Sequence, residues 1–244
     1  MRDELLDLVS HTHDLGCIDF IKITGNNDST NITGLASDKS VVINANFNSA
    51  VKDFNGTFGM PNLSNLKSLL NIAEYGNEGQ ITVKRQDRKE ELNAPVGLYF
   101  QNKSNDFNND YRFMVSEVVN DALANVSFKG ATWNVEFNPS EINLQRLKMQ
   151  SQAIPEADFF TVSTVDGNLL FSIGDHSTHA GSFVFQENVD GEINGGWKYP
   201  IRQVINILSL SGDKTMFISD QGAAKITVNS GIASYDYILP AQSK

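Results

Sequence analysis

Four histidines and one cysteine are the residues of this sequence best suited to metal or nucleophilic chemistry. His11 and His13 are two positions apart in a predicted helix, so their side chains point to different faces and cannot readily share a metal ion. His176 and His179 fall in a predicted polar connection between strands, where a shared metal ion is the less favoured interpretation. Cys17 has no partner cysteine, and a core position suits it better than a reactive one. These residues therefore predict neither a metal site nor a nucleophile.

Short motifs for common cofactors and metals are absent from the sequence. It contains no Gly-x-x-x-x-Gly-Lys phosphate loop, no His-Glu-x-x-His motif and no Cys-x-x-Cys pair. The polar loop at 102–110 has acids but lacks the glycine and final glutamate of a calcium loop. We expect no cofactor, no catalytic residue and no enzymatic activity, and a small hydrolase with an unrecognised site ranks last among the functions considered.

The composition indicates an ordinary globular protein with an acidic balance. Of its 244 residues, 40% are hydrophobic and 20% charged, and the formal net charge is −10. This negative charge argues against tight binding of nucleic acid through the overall charge of the protein, because phosphate binding needs clustered Lys and Arg. It still allows a local basic surface. An acidic N-terminal segment, the lack of a long apolar run and the single cysteine predict a cytoplasmic protein with no membrane partner.

An internal repeat indicates that the chain is a duplicated unit. The segment NGTFGMP at 55–61 recurs as NGGWKYP at 194–200, an offset of 139. The same offset relates a second set of residues, placing Leu5, Leu8, Asp19 and Phe20 on Leu144, Leu147, Asp158 and Phe159. Because this spacing is too long for a solenoid repeat, we predict two similar domains at 1–117 and 139–244, joined by a connector at 118–138.

Each half of the chain follows the order helix, strands, helix, strands, which predicts an α+β fold. Predicted helices lie near 5–12, 61–72, 140–153 and 200–210. Predicted strands lie at 18–24, 41–47, 81–85, 96–101, 111–115, 159–164, 168–173, 181–187, 215–219, 224–228 and 235–239. The helices and strands thus repeat in the two halves, as the duplication requires.

The helices differ in the charge of their predicted outward faces. Three of them, at 61–72, 140–153 and 200–210, show mainly neutral or basic residues there, although acids outnumber bases in the chain. One such face can be an ordinary solvated surface, but three together favour a surface that tolerates phosphates and binds them weakly. The residues that would form this surface, and that would be DNA-facing if the phosphates are those of a duplex, are Lys67, Asn71, Arg146, Lys148, Gln150, Arg202 and Asn206. The first helix breaks the pattern with four acids nearby, namely Asp3, Glu4, Asp7 and Asp14.

Four further segments, with the repeated Asn-Gly segments and their helices, carry a family resemblance. They are GNLLFSI at 167–173, GSFVFQ at 181–186, QGAAK at 221–225 and YDYILPA at 235–241. In this order along a duplicated chain they resemble the DNA sliding clamps of T-even-type phages and, more distantly, proliferating cell nuclear antigen (PCNA). The resemblance implies a DNA-clamp fold with two helices per domain packed on antiparallel sheets. It also implies a homotrimer that closes a ring around duplex DNA and acts as a DNA polymerase processivity factor.

The same resemblance implies where subunits and partners would bind. Subunits would join by strand addition between the strand at 111–115 of one copy and that at 181–187 of the next. The implied interface residues are Tyr111, Phe113, Val115, Phe183 and Phe185. Polymerase and clamp loader would insert linear peptides into an apolar pocket bordered by Leu239, Pro240 and Ala241. An ordinary frayed terminus is the alternative for that last segment.

A second function from another class is also consistent with the sequence. Asn-rich, β-rich duplicated subunits build phage virions as well, so a structural virion protein is the alternative to a clamp. A phage origin is itself implied only by the resemblance. Measuring the oligomeric state would separate these functions best.

Overall fold

A computed structural model gives the positions of most of the chain. The residues that it describes are 1–76, 78–88, 92–124, 128 and 130–242. Within them, no helix is long and apolar enough to cross a membrane.

The chain divides into two compact units. The first unit comprises Met1–Ser127 with Ser230–Tyr235, and the second comprises Phe128–Asn229 with Asp236–Lys244. The residues predicted as a connector are therefore divided between the units, with 118–127 in the first and the rest in the second. A short stretch from the second half of the sequence belongs to the first unit.

The first unit combines helices with two antiparallel sheets. Within its described residues the helices are α1 (Arg2–His11), α2 (Leu63–Leu70) and α3 (Ser116–Ala122). Its strands are β1 (Ile21–Gly25), β2 (Thr30–Leu35), β3 (Val42–Phe47), β4 (Gly56–Met60), β5 (Gln80–Gln86), β6 (Ala94–Gln101) and β7 (Asn108–Arg112). The strand orders are β4-β1-β2-β3 and β5-β6-β7.

The second unit repeats this plan. Its described helices are α4 (Glu141–Ala153) and α5 (Ile201–Leu208). Its strands are β8 (Val135–Phe137), β9 (Phe159–Val165), β10 (Asn168–Gly174), β11 (Ala180–Gln186), β12 (Lys198–Pro200), β13 (Asp213–Ser219), β14 (Ala223–Asn229) and most of β15 (Ala233–Pro240), whose first three residues belong to the first unit. The strand orders are β12-β9-β10-β11 and β8-β13-β14-β15, so the first sheet has the same order as its counterpart.

The sequence repeat is preserved in the register of the strands. In the first unit, Ile21 of β1 lies opposite Gly34 of β2 and Met60 of β4. The residues 139 positions later form the same pairs in the second unit, namely Phe160 with Ile173 and Tyr199. A shift of one residue would turn every side chain of a strand to the other face of the sheet. Because the register is the same in both units, corresponding residues point to corresponding faces of the two sheets.

The repeated Asn-Gly segment forms a short strand followed by a helix, not a turn that leads directly into a helix. β4 pairs with β1, and β12 pairs with β9. The N–H of Leu63, the first residue of α2, donates to the carbonyl of Asp19 at 3.2 Å, and the N–H of Ile201 in α5 donates to that of Asp158 at 2.9 Å. In each unit, therefore, a backbone hydrogen bond to a residue before β1 or β9 gives a partner to an N–H group at the start of the helix, which has none within the helix.

The strand predicted at 111–115 lies earlier in the chain, at Asn108–Arg112, and the Phe113 N–H makes one further bond to β6, to the Val96 carbonyl at 3.0 Å. Met114 forms a bridge with Gly59 of β4 instead. A Cβ at Gly59 would lie 3.0 Å from the Cβ atoms of Met114 and Val119, so glycine lets α3 pack closely on β4. Val119 is fully buried there. Helix α3 occupies residues that the sequence assigned to the end of the first domain and the start of the connector.

Candidate functional site

The first helix pair consists of α1 and α2, and its charged residues have partners within the first unit. Lys67 Nζ of α2 lies 2.7 Å from Asp14 Oδ1, in the turn after α1. The N-terminal ammonium lies 2.6 Å from the Glu4 carboxylate. Arg2 donates to two carbonyl oxygens at and just beyond the C-terminal end of α2. Much of the charge that distinguishes the acidic first helix is therefore compensated locally.

Asp7 of the same helix forms the centre of a buried polar cluster. Its Oδ2 accepts hydrogen bonds from Tyr235 Oη at 2.7 Å and from Ser230 Oγ at 3.0 Å, and its Oδ1 lies 3.3 Å from His11 Nδ1. The rings of His11 and Tyr235 stack with centroids 4.6 Å apart. Burial alone would raise the pKa of the Asp7 carboxyl, but its hydrogen bonds to His11, Tyr235 and Ser230 outweigh burial and lower that pKa. The cluster attaches residues 230–235 to α1.

The second helix pair consists of α4 and α5. Its cations lack ion-pair partners within the described part of the chain. Arg202 of α5 is exposed and Lys148 of α4 is half-buried. Lys148 lines a hollow between α4 and the end of α5, together with Glu141 and Lys214. Burial lowers the pKa of Lys214, whose Nζ donates to the Gly212 carbonyl at 2.8 Å. Lys214 was not among the predicted residues, because it lies at the start of a strand and outside the helical periodicity.

Helix α4 turns its predicted DNA-facing residues in different directions. Arg146 Nη1 lies 3.4 Å from the Val184 carbonyl of β11. The Gln150 amide packs on Gly181, where an added Cβ would lie only 1.6 Å from its nitrogen. One side of the helix thus rests on β11, whereas Lys148 lies on the side toward α5.

The exposed face of α4 is partly apolar. Ile142 is 65% exposed and Met149 is 60% exposed, and the two are one heptad apart on the same face of the helix. Leu144 and Leu147 of the same helix are buried. Two large apolar side chains thus stand in solvent on one face of α4.

The remaining predicted DNA-facing residues differ in exposure. Asn71 is exposed at the C-terminal end of α2. Asn206 of α5 is half-buried. Among the seven predicted residues, Lys67 is engaged by a carboxylate, and Arg146 and Gln150 lie against a strand.

The strands predicted to join subunits both lie at sheet edges. Among the described residues, β7 pairs only with β6, and β11 pairs only with β10. The opposite edge of the β7 sheet, β5, is held against a neighbouring turn, since Arg85 donates to the carbonyl oxygens of Asp53 and Asn55. β7 and β11 are therefore candidates for pairing with another chain.

The aromatic side chains predicted at these edges belong largely to the core of their own units. Tyr111 is 5% exposed and donates to the Pro61 carbonyl, and Phe113 is 8% exposed and stacks on a neighbouring phenylalanine. Phe185 is fully buried, while Phe183 and Val115 are half-buried. A joint at these edges would consequently depend on backbone groups and on side chains beside the strands.

A groove runs beside β7, between that strand and α2. Its lining residues are Pro61, Asn62, Asn65, Ser68, Leu69, Ile72, Asp110, Tyr111 and Arg112. The Asp110 carboxylate is held by Lys84 Nζ at 2.6 Å. The groove therefore offers an apolar floor with little uncompensated negative charge.

The predicted partner-peptide segment is tied to the second unit and does not fray within the described residues. Leu239 is fully buried, Ala241 is half-buried and Pro240 is exposed. The Ala241 N–H donates to the Gly222 carbonyl at 2.9 Å, and the next residue donates to the carbonyl of Lys198 at 3.0 Å. Residues 243–244 lie outside the described residues.

A metal-binding group is not found among the residues that the structure describes, where no three or more His, Cys, Asp or Glu side chains are suitably placed. His179 Nδ1 lies 3.4 Å from Glu156 Oε1, and both side chains are exposed. Cys17 is half-buried.

Two solved structures have this architecture over nearly the whole chain. PCNA from Thermococcus kodakaraensis matches with a TM-score of 0.68 and 10% identity, covering 99% of this chain and 97% of that one. PCNA from A. fulgidus, bound to the C-terminal region of FEN-1, matches with a TM-score of 0.70 and 8% identity, covering 100% and 97%. No protein-family model and no curated protein sequence matches. The predicted α+β DNA-clamp fold is confirmed, and the likeness is one of fold rather than of sequence.

Proposed function

We propose that this chain is a DNA sliding clamp, a processivity factor that encircles duplex DNA, tethers a polymerase and performs no chemistry itself. The observation that carries the proposal is a duplicated PCNA-like fold with two unlike unpaired edges, β7 in one unit and β11 in the other. Unlike edges form heterologous contacts, which close into a ring when the rotation between copies allows it. Three copies joined by β7 and β11 would form such a ring.

Topology would then hold the DNA, and direct contacts would stay weak. The formal net charge of −10 opposes tight wrapping of nucleic acid. A few basic groups, chiefly Arg202 and Lys148, would still attract phosphates locally. Such sparse contacts are what a mobile ring requires, because every strong phosphate contact would slow its movement along the duplex.

Partners would bind through short peptides. The A. fulgidus PCNA structure holds the C-terminal region of FEN-1, so a protein with this fold binds a partner through a terminal segment. In this chain we place the corresponding site for polymerase and clamp loader beside residues 239–241. The bonds from Ala241 to Gly222 and from the next residue to Lys198 would give an incoming peptide a fixed surface.

Two measurements test this function. Solution mass should correspond to three copies of the 26.9 kDa chain. A clamp loaded by its loader onto nicked circular DNA should be retained, and it should be lost after the same DNA is cut once, because only a linear molecule has an end.

Equal retention on circular and linear DNA would contradict the proposal, as would a protein that stays monomeric at high concentration. Open-ended filaments would instead indicate heterologous edges that do not close, which is the behaviour expected of a structural assembly.

A further inference from the structure

Asp220 lies in the turn between β13 and β14 and bonds to two other segments of the second unit. Its Oδ1 accepts hydrogen bonds from the N–H groups of Asn194 at 2.9 Å and Gly195 at 2.6 Å. Its carbonyl oxygen accepts a third from Trp197 Nε1 at 2.9 Å, and its own N–H donates to Asn134 Oδ1 at 2.9 Å. Because hydrogen bonds to a carboxylate are stronger than those between neutral groups, Asp220 fixes the segment 194–197 to the turn.

The indole ring of Trp197 is the side chain that these bonds place. A Cβ at Gly195 would lie only 2.1 Å from its Nε1, and a Cβ at Gly222 would lie 3.1 Å from its Cε3. Glycine at both positions therefore leaves room for the ring to lie against the backbone. Trp197 is half-buried, so part of the ring still faces solvent.

The C-terminal segment is attached beside this ring. The Ala241 N–H donates to the Gly222 carbonyl, and the N–H of the next residue donates to the carbonyl of Lys198. Gly222 contacts the ring of Trp197, and Lys198 follows Trp197 in the chain, so both attachment points adjoin the same tryptophan. Pro240, between buried Leu239 and Ala241, is exposed. A peptide that binds beside residues 239–241 would therefore meet this ring.

The corresponding segment of the first unit is held in another way. Phe58, 139 residues before Trp197, is fully buried. There Arg85 donates to the carbonyl oxygens of Asp53 and Asn55, so a cation and not a carboxylate fixes the segment. Since the two units share one strand register, the fold accommodates a fully buried aromatic residue at this position. The partial exposure of Trp197 is thus a feature of the second unit that the fold does not require.

We propose that Asp220 is a positioning residue for partner binding, which holds Trp197 and the segment 239–242 in the arrangement that a partner peptide contacts. The inference rests on the proposed clamp function and deepens it by naming the residue that prepares the peptide site. Asp220 acts through Trp197 and Gly222 and does not itself touch the peptide. Ordering these groups in advance reduces the entropy lost on binding, and a fixed tryptophan offers a large apolar surface.

Peptide affinity tests this role. Asp220→Ala removes the acceptor of two backbone N–H groups and should weaken binding of a fluorescein-labelled peptide with the C-terminal sequence of the cognate DNA polymerase. The dissociation constant, measured by fluorescence anisotropy with the full chain, should rise about tenfold, corresponding to about 1.4 kcal/mol. Asp220→Asn keeps an oxygen that can accept these bonds and should recover most of the affinity. Asp213→Ala is the matched control, since Asp213 is an exposed acid at the other end of β13.

A second measurement separates positioning from a general loss of structure. The chain has two tryptophans, so Trp133→Phe leaves Trp197 as the only one. In that background Asp220→Ala should increase the quenching of Trp197 fluorescence by acrylamide, because the ring loses its fixed position. Circular dichroism, solution mass and retention on circular DNA should stay as in the wild type.

Equal peptide affinity in Asp220→Ala and the wild type would overturn the inference. A loss that Asp220→Asn does not restore would also overturn it, because the site would then need the negative charge and not the acceptor. Trp197→Leu removes the ring and keeps the carboxylate, so full affinity in that variant would overturn the inference even if Asp220→Ala fails to fold. A wild-type trimer that does not bind the peptide would instead reject the peptide site at 239–241, and a chain that never forms a trimer would reject the clamp function.

Discussion

The first helix pair carries a cation that is paired with a carboxylate, whereas the cations of the second helix pair have no such partner among the described residues. Lys67 of the first unit is paired with Asp14 at 2.7 Å. The residues 139 positions later are Asn206 and Ala153, so the second unit cannot form this ion pair. Arg202 instead stands exposed on α5 with no ion-pair partner among the described residues. The two units therefore share the same strand register but differ in whether the cations of their helices form ion pairs.

The difference indicates that the charged side chains of the helices have different roles in the two units. In the first unit, charged groups contact one another and the backbone, so they contribute to the stability of that unit. In the second, exposed Arg202 has no ion-pair partner among the described residues and could still meet an external anion.

Replacing Asp7 by Ala should lower the free energy of unfolding by about 2–4 kcal/mol, because Tyr235 and His11 would lose the partner of buried polar atoms. Urea denaturation with fluorescence measures the loss. Asp3→Ala is the matched control, since Asp3 is an exposed acid of the same helix and should change stability by under about 0.5 kcal/mol. Equal effects of the two variants would contradict the importance of the cluster.

The same cluster should make stability depend on pH. Because the folded-state pKa of the Asp7 carboxyl is lowered, its contribution is fully present above the unfolded-state pKa of about 3.9 and is lost as the pH falls through the folded-state value. The stability difference between wild type and Asp7→Asn should therefore shrink as the pH falls below about 4. A difference that grows on acidification would refute the assignment.

Neutralising the second helix pair should affect DNA binding more than neutralising the first. Arg202→Gln should reduce the slope of log affinity against log salt by about 1, the value for one lost phosphate contact. Lys67→Gln should reduce it by clearly less, because Asp14 already holds that ammonium. Titrating a short duplex by NMR at several salt concentrations measures both slopes, and equal reductions would remove the distinction between the units.

The smallest expected effect comes from releasing Lys67. Asp14→Asn removes its ionic partner and should increase the salt slope by less than about 1, since a half-exposed lysine gains only partial access to phosphate. Stability should change by at most about 1 kcal/mol, as expected for an exposed ion pair. An unchanged slope would show that α2 does not approach DNA even when its cation is free.

Sequence periodicity predicted α1, α2, α4 and α5, because their apolar spacing is local, but it did not predict α3. The apolar residues Leu66 of α2 and Leu147 of α4 are fully buried. The short strands β4 and β12 were missed, since their identity depends on pairing with β1 and β9, which lie far away in sequence. The displacement of β7 has the same origin, because Met114 pairs with Gly59.

The candidate site was harder to predict than the fold. The pattern indicated which face of α4 is buried, but it did not reveal that Gln150 lies against β11, which tertiary packing decides. The exposure of Met149 likewise follows from the position of the helix and not from its sequence. Lys67 was identified as a surface cation, yet its pairing with Asp14 needed the distance between α1 and α2.

The Asp7 cluster has a consequence for synthesis of the chain. Its bonds to Ser230 and Tyr235 span 223 and 228 residues. All the intervening residues must therefore leave the ribosome before the first helix can acquire these partners, and contacts of such sequence separation form slowly. During translation Asp7 lacks the hydrogen bonds from Ser230 and Tyr235 until residues 230–235 have been released.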